Sequence, residues 1–444
     1  MTKRIAFISE HASPLALLGG KDSGGQNVYV AEVARELVKK GYKVDVFTRK
    51  DERSQTEIAE MEPGIRVIHI EAGPDEFVEK EQLLGFMPAF ADNMHSFIVR
   101  QTYDYELIHA HFFMSAMVAS ILKSRLSIPY VVTFHALGLV RQLHQKEQDR
   151  FPKERLDIEK FIVKDADRLI AECPQDKADL INLYHADPQK ISVIPCGYSI
   201  RELHPVDKQQ ARSLLGLPAT ARIVVHIGRM VARKGVDNII HAFGLMKDKI
   251  PDLHLVIVGG ESDEPDVAIT PEIGRLKKLS EDYCIQDIVH FAGRKSRQML
   301  KYFYSAADVF ITTPWYEPFG ITPLEAMACG IPVIGSEVGG IKYSVKHGST
   351  GLLVPPKDPH ALAAGLTALL SNEGLRLKMA KNALRRVNNH FTWFKVAADL
   401  VPVYQRIVHA DMLAKSPVPK HVTLPTLREL FGDTISPSIY AHGS

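Results

Sequence analysis

The chain shows no excess of charge of either sign. Its 54 Lys and Arg stand against 52 Asp and Glu, so no global field draws nucleic acid to it. Cysteine is scarce: Cys173, Cys196, Cys284 and Cys329 are scattered without metal-ligand spacing. They point to reduced thiols in a cytoplasmic protein rather than to a disulfide frame. No apolar run reaches the length of a membrane span and no secretory leader is recognisable. The expectation is a soluble protein with at most peripheral membrane contact. Gly-x-Gly-x-x-Gly is absent, which removes the dinucleotide-fingerprint reading. Short internal repeats are absent too, which removes a solenoid.

What is present describes an ordinary globular protein, with 45% hydrophobic and 24% charged residues. At 444 residues the length suits two domains. Strands read at 4–9, 43–48, 66–70, 107–109, 130–133, 168–171 and 191–194, with helical segments between several of them. The helix over 115–126 is apolar on most faces and reads as core. Such alternation predicts an α/β fold with a covered parallel sheet. The stretch around 201–220 is polar and carries Pro205 and Pro218, which sets a first domain at 1–203. Strands at 222–227, 254–258, 288–291, 309–312 and 351–354, with helices at 358–370 and 373–389, make a second domain at 204–390. A last helix over 391–412 is expected to pack back on the first domain. The tail 413–444 holds Pro417, Pro419, Pro425 and Pro437 and reads as a surface extension.

The most informative stretch is Trp315-Tyr316-Glu317-Pro318-Phe319-Gly320-Ile321-Thr322-Pro323-Leu324-Glu325. It follows an apolar strand and turns at Gly320 into a helix beginning near Thr322 and Pro323. Backbone amides near Phe319, Gly320, Ile321 and Thr322 then offer an anion site at the carboxyl edge of the sheet. Glu317 and Glu325 flank it and could accept from hydroxyls. Two glutamates eight apart say little alone. Set in a strand, turn and helix, they describe a sugar nucleotide well. A second loop, Gly228-Arg229-Met230-Val231-Ala232-Arg233-Lys234-Gly235, sets Arg229 and Lys234 five apart after another strand. In the first half, Gly24 and Gly25 join the first strand to a helix. His109 and His111 stand at the end of one strand, and His135 ends the next, at the edge where α/β ligands bind. Histidines two apart point the same way, but no third metal ligand has suitable spacing. A polar lining is the reading kept.

Here a resemblance becomes specific. Glu317-x7-Glu325 within EPFGITPLEAMACGIPVIGSEVGG resembles the donor signature of retaining GT-B glycosyltransferases, built of two Rossmann-like domains facing across a cleft. The opening DSGGQNVYVAEVARELVKKGYKVDVFTRK resembles the sucrose-phosphate synthase and inositol-phosphate glycosyltransferase group. The likeness spans roughly residues 3 to 410.

The resemblance implies roles. Arg229 and Lys234 grip the donor diphosphate together with the amides of Phe319, Gly320, Ile321 and Thr322, and Gly25 lets the backbone approach. Glu325 accepts from ribose hydroxyls, Glu317 orients the donor hexose, and His135 holds that sugar's 6-hydroxyl with its own carbonyl near the anomeric carbon. Gly24, Gln26, Asn27 and His111 line the acceptor side. Lys80, in a Lys-Glu segment similar to that of sucrose-phosphate synthases, and Arg155, four residues before Glu159, read an acceptor phosphate. Phe112 and Ala136 stand where the inositol-phosphate enzymes use an aromatic hydroxyl and a threonine, which argues against inositol phosphate.

The implied reaction moves glucose from UDP-glucose to a phosphorylated sugar, fructose 6-phosphate first, with retention. It needs no cofactor and no metal. GDP-mannose as donor, giving mannosylfructose phosphate, and an unphosphorylated acceptor are close alternatives. A sugar-nucleotide epimerase or an inactive binding protein are alternatives of another class. The partners expected are small molecules, with no nucleic acid and no integral membrane segment. Domain closure is expected to hinge near 200–206 and 388–394.

Overall fold

A computed structural model describes residues 3–16, 24–146 and 149–414. Part of the glycine loop (17–23) and the tail from 415 onward lie outside the described residues. The chain divides into two compact units. One runs to Pro195 and resumes at Val396, and the other runs from Cys196 to Lys395.

The first unit contains β1 (Arg4–Ile8), α1 (Gly25–Lys39), β2 (Lys43–Arg49), β3 (Ile58–Glu62), β4 (Ile65–Ile70), α2 (Met87–Val99) and β5 (Leu107–His111). It continues through α3 (Phe113–Leu126), β6 (Tyr130–Thr133), α4 (Gly138–Gln145), α5 (Glu154–Asp165), β7 (Arg168–Ala171), α6 (Pro174–Tyr184) and β8 (Ile191–Val193). The sheet order is β3-β4-β2-β1-β5-β6-β7-β8. Every pairing is parallel except β3 with β4. The parallel strands are apolar because both faces are covered. α3 is buried continuously from Phe113 to Leu122, so it reads as core on every side. The antiparallel strand β3 was not expected. Its sequence IAEME alternates between half-buried and exposed, which leaves no apolar run to read.

The second unit contains α7 (Lys208–Leu214), β9 (Arg222–Ile227), α8 (Val236–Gly244), β10 (Leu253–Val258), α9 (Pro271–Asp282), β11 (Val289–Gly293), α10 (Arg297–Ala306) and β12 (Val309–Thr312). It goes on with α11 (Thr322–Ala328), β13 (Val333–Ser336), α12 (Ile341–Ser344), β14 (Gly351–Val354), α13 (Pro359–Ser371) and α14 (Glu373–His390). Its sheet, β11-β10-β9-β12-β13-β14, is parallel throughout. The last helix, α15 (Trp393–Ala414), belongs to the first unit from Val396 onward, where the Tyr404 hydroxyl lies 2.6 Å from His109 Nδ1. Within the second unit its first and last stretches run side by side, and the Tyr198 amide donates to the Phe391 carbonyl at 2.8 Å.

Near the amino edge of each sheet a buried aspartate ties elements together. Asp45 accepts from Arg4 at 2.8 Å, Arg66 at 2.6 Å and the Tyr105 hydroxyl at 2.5 Å. Asp308 accepts from Lys208 at 2.6 Å, Arg212 at 3.1 Å and the Ile223 amide at 2.9 Å. The opposite, carboxyl edges are left for chemistry. In the first sheet the chain reverses direction between β1 and β5, and in the second between β9 and β12. Loops diverge at such a switch point and open a crevice for ligand.

Candidate active site

In the second unit the loops after β9 and β12 meet at the switch point. Gly235 has φ +65°, and a Cβ there would stand 2.1 Å from the Thr313 carbonyl oxygen. The Thr313 hydroxyl in turn donates to the Gly235 carbonyl at 2.7 Å. Only glycine permits both the left-handed backbone and this approach. The contact sets Lys234 against Glu317, its ammonium donating to Oε2. Arg233 Nη1 lies 3.9 Å from the same oxygen. Nη1 is buried and has no hydrogen-bond partner among the described residues.

Charge here is unbalanced. Burial depresses the Lys234 ammonium to about 8; Arg233 and Arg229 add to that, and Glu317 restores only part of it. Burial would raise the Glu317 carboxyl, but Lys234, Arg233 and Arg229 outweigh it and hold the group below the usual range. Three cations thus surround one carboxylate, a surplus that an anionic ligand would neutralise.

The loop from Glu317 to Ile321 is seated by a second glycine pair. A Cβ on Gly339 would fall 1.8 Å from the Glu317 carbonyl oxygen, and one on Gly340 would fall 2.4 Å from Phe319 backbone. The amides of Phe319, Gly320 and Ile321 donate no hydrogen bond among the described residues. Thr322 opens α11, with Pro323 in its first turn. Glu325 follows, and it is more enclosed than a free ribose acceptor would be. Its side chain accepts from Arg297 at 3.0 Å on one oxygen and from the Tyr304 hydroxyl at 2.8 Å on the other. Each oxygen keeps one further lone pair.

In the first unit, Gly25 opens α1, and the Gly24 amide donates to Asn27 Oδ1 at 2.9 Å. Asn27 also donates to the Ser13 carbonyl at 2.9 Å, so its buried carboxamide builds the loop rather than facing a ligand. Gln26 donates to the Ser9 hydroxyl at 3.1 Å and the His111 carbonyl at 3.3 Å, tying the ends of β1 and β5 together.

The histidines form a connected set. His135 has φ +57° at the end of β6. Its Nδ1 lies 2.9 Å from Glu172 Oε1 and its Nε2 lies 3.1 Å from His111 Nδ1. A carboxylate only accepts, so Nδ1 of His135 carries a proton; in the neutral ring Nε2 then accepts from His111. Both ring nitrogens are engaged, and a hexose hydroxyl would have to displace His111. His109 and His111 were expected to line the site, yet both are fully buried. Burial holds each well below its ordinary value and so neutral. His109 is engaged at both nitrogens, by Tyr404 at 2.6 Å and Thr133 at 2.9 Å.

The two expected acceptor cations differ in setting. Arg155 was expected at a phosphate, but its side chain is only 1% exposed. Nε donates to Glu159 at 2.7 Å and Nη2 to the Ala136 carbonyl. The rings of Phe112, Phe113 and Phe151 stand 4.9, 4.8 and 4.6 Å from the guanidinium. These three rings enclose the guanidinium, and its Nη1 is buried with no hydrogen-bond partner among the described residues. Lys80 is partly exposed on the single turn Lys80–Gln82, with its ammonium 3.5 Å from Glu81.

Residues 207–386 match the family model for glycosyl transferases group 1, and 23–202 match that for glycosyltransferase family 4. The D-inositol 3-phosphate glycosyltransferase of Corynebacterium glutamicum (strain R) is 36% identical over 407 residues, covering 90% of this chain and 96% of that one. The chain belongs to the group 1 glycosyltransferases. Sucrose-phosphate synthase from Thermosynechococcus elongatus matches this glycosyltransferase with a TM-score of 0.84 at 34% identity, over 92% of this chain and 100% of that one. Anabaena HepE, solved with UDP-glucose, matches with a TM-score of 0.72 at 20% identity, over 91% and 99% of the two chains. That likeness shows the shared GT-B fold.

Sequence reasoning missed several residues of this glycosyltransferase that stand beside those it named. Glu172 holds His135, and Arg297 with Tyr304 holds Glu325. At the carboxyl end of β1, His11 donates to Glu10 at 2.7 Å, and the Ser115 hydroxyl donates to the same buried carboxylate. Ser9-Glu10-His11 directly after the first strand was a readable signal, because that edge binds ligands in α/β folds. The Asp-x-Asp spacing at Asp165 and Asp167 is structural. Asp165 accepts from Ser120 and Tyr130 hydroxyls at 2.8 Å, and Asp167 pairs with Lys123 at 3.0 Å. Among the described residues no three His, Cys, Asp or Glu side chains gather as metal ligands, and no helix is long and apolar enough to cross a membrane.

Proposed function

We propose that this glycosyltransferase takes glucose from UDP-glucose and transfers it, with retention, to a phosphorylated sugar, fructose 6-phosphate first. One observation carries the donor side: Arg229, Arg233 and Lys234 surround Glu317, with an unpartnered Arg233 donor and unbonded loop amides beside them. A diphosphate would supply the missing negative charge.

In this reading Lys234 exchanges Glu317 for the diphosphate, which frees Glu317 to accept from a hydroxyl of the hexose. The bond from the anomeric carbon to the diphosphate oxygen breaks as fixed cations and amides stabilise the charge growing on that oxygen. The acceptor hydroxyl forms its bond to the anomeric carbon on the same side, and its proton passes to the departing phosphate oxygen. No enzyme nucleophile, resident metal or cofactor takes part in the proposal.

The likeness to sucrose-phosphate synthase supports a hexose phosphate as acceptor. A second reading, inositol phosphate as acceptor, is favoured by the 36% identity to the corynebacterial enzyme. Against it, Phe112 and Ala136 have no hydroxyl to offer, and Phe112 packs on Arg155. The test is nucleoside diphosphate release from UDP-glucose and GDP-mannose, each with fructose 6-phosphate, fructose and inositol phosphate. Release with UDP-glucose and fructose 6-phosphate is expected; release only with inositol phosphate would favour the second reading.

A further inference from the structure

Arg297, the first residue of α10, and Tyr304 lie two helical turns apart along one face of that helix. The face meets Glu325, which stands one turn beyond the loop 317–321. Arg297 Nη1 donates to Glu325 Oε1 at 3.0 Å, and the Tyr304 hydroxyl donates to Oε2 at 2.8 Å. Burial, and Glu325 beside it, hold the Tyr304 phenol well above its ordinary value, so it stays protonated and donates. The other edge of the guanidinium is engaged as well, with Nε donating to Glu202 Oε2. Glu202 lies in the stretch leading into α7, which α10 also holds at the Ser305 hydroxyl, where the Val206 amide donates at 3.1 Å. The guanidinium is thus fixed from two sides.

Two carboxylates share one guanidinium here, whereas around Glu317 three cations share one carboxylate. An anion suits the second place and not the first. Glu325 is almost fully buried, and with one donor on each oxygen it keeps a further lone pair on each. Two adjacent lone pairs on a carboxylate suit two neutral hydroxyls side by side. In the proposed reaction the hexose faces Glu317, which leaves the ribose as the diol for Glu325. Holding the carboxylate from both oxygens removes the cost of ordering it when the ligand binds.

We infer that Arg297 and Tyr304 are positioning residues, which hold the Glu325 carboxylate so that both of its oxygens accept from the 2′- and 3′-hydroxyls of the donor ribose. The inference rests on the proposed nucleoside-diphosphate sugar as donor. It makes the site selective for a nucleotide with a free ribose diol. A deoxyribose leaves a buried acceptor unpaired, and a ribose bearing a phosphate sets an anion against two carboxylates.

The test titrates UDP, 2′-deoxy-UDP and 2′,3′-dideoxy-UDP by calorimetry into the full-length wild type, Arg297→Met and Tyr304→Phe. Circular dichroism first shows each variant to be folded, and Tyr304→Phe removes a single hydroxyl and is the less able to disturb packing. A hydrogen bond to a charged group accounts for roughly ten- to a hundredfold in affinity, so the wild type should bind UDP at least about tenfold more tightly than the dideoxy form. Arg297→Met should bring UDP close to the dideoxy level and leave the dideoxy form nearly unchanged, and Tyr304→Phe should narrow the same gap. With UDP-glucose, the donor KM should rise by a similar factor while kcat and the acceptor KM change little. Equal losses for all three ligands would show that Arg297 only joins α10 to α11, and would overturn the inference. A wild type indifferent to the ribose hydroxyls would overturn it too, while leaving the diphosphate site in place. Should UDP not bind, GDP and its deoxy forms replace it. A ribose-dependent loss with GDP keeps the inference and overturns the UDP reading, and absence of binding by both nucleotides overturns both.

Discussion

The Lys234 ammonium is hydrogen-bonded to the Glu317 carboxylate, although 83 positions separate them in the chain. Both side chains are largely buried, and Arg233 and Arg229 act on the same carboxylate. Such a group can exchange its internal partner for a ligand without ordering new charges at the moment of reaction. Arg229→Ala or Lys234→Ala should therefore lower turnover at least about a hundredfold, the size typical of losing one preorganised charge stabiliser. Far-ultraviolet circular dichroism should be unchanged, since both residues lie in the loop after β9. Near-normal turnover in a folded double variant would remove this site from the mechanism.

The same pair sets a pH dependence. With the Lys234 ammonium depressed to about 8, the cation is present below that pH and lost as pH rises through it. Because kcat/KM for the donor reads the free enzyme, it should fall with a descending limb near pH 8. Glu317 is the neighbour that raises the ammonium, while burial, Arg233 and Arg229 lower it. Glu317→Gln should thus move the limb to lower pH as well as reducing the rate. A limb that stays in place in this variant would show that another group titrates.

Much of this layout was legible because buried parallel strands leave near-continuous apolar runs. β6, β7, β9, β12 and β14 fall where those runs placed them. β5 extends to His111, past its expected end, because His109 and His111 are buried in spite of their polar side chains. Arg155 was expected at an acceptor phosphate, four residues before Glu159. What encloses its guanidinium is a set of rings at Phe112, Phe113 and Phe151, on other elements and loops, which no local pattern reveals. The Lys234–Glu317 pairing likewise depends on β9 and β12 being neighbours, a fact of topology and not of spacing.

Stability of the second unit should depend on Asp308. Burial would raise its carboxyl, but Lys208, the Ile223 amide and Arg376 outweigh that and hold it below the ordinary range. Its contribution is therefore present above the unfolded carboxylate range and lost as pH falls through the folded value. Asp308→Ala leaves buried cations unpaired and should cost about 3–5 kcal/mol. Both tryptophans, Trp315 and Trp393, lie in this unit, so urea unfolding followed by their fluorescence reads it selectively. A midpoint equal to that of the wild type would show that the cluster is solvated.

In the proposed reaction, Arg229, Arg233 and Lys234 would provide the charge that a divalent ion otherwise supplies at a diphosphate. Activity should accordingly survive treatment with EDTA. Loss of activity that magnesium or manganese restores would show that a metal site contributes to catalysis.

The most direct measurement follows UDP-glucose and fructose 6-phosphate by proton NMR in the presence of the enzyme. The anomeric signal of the donor should disappear at the rate at which UDP and a new α-configured anomeric signal appear, and fructose should support far slower turnover than fructose 6-phosphate. A β-configured product, or turnover that is indifferent to the acceptor phosphate, would contradict the account.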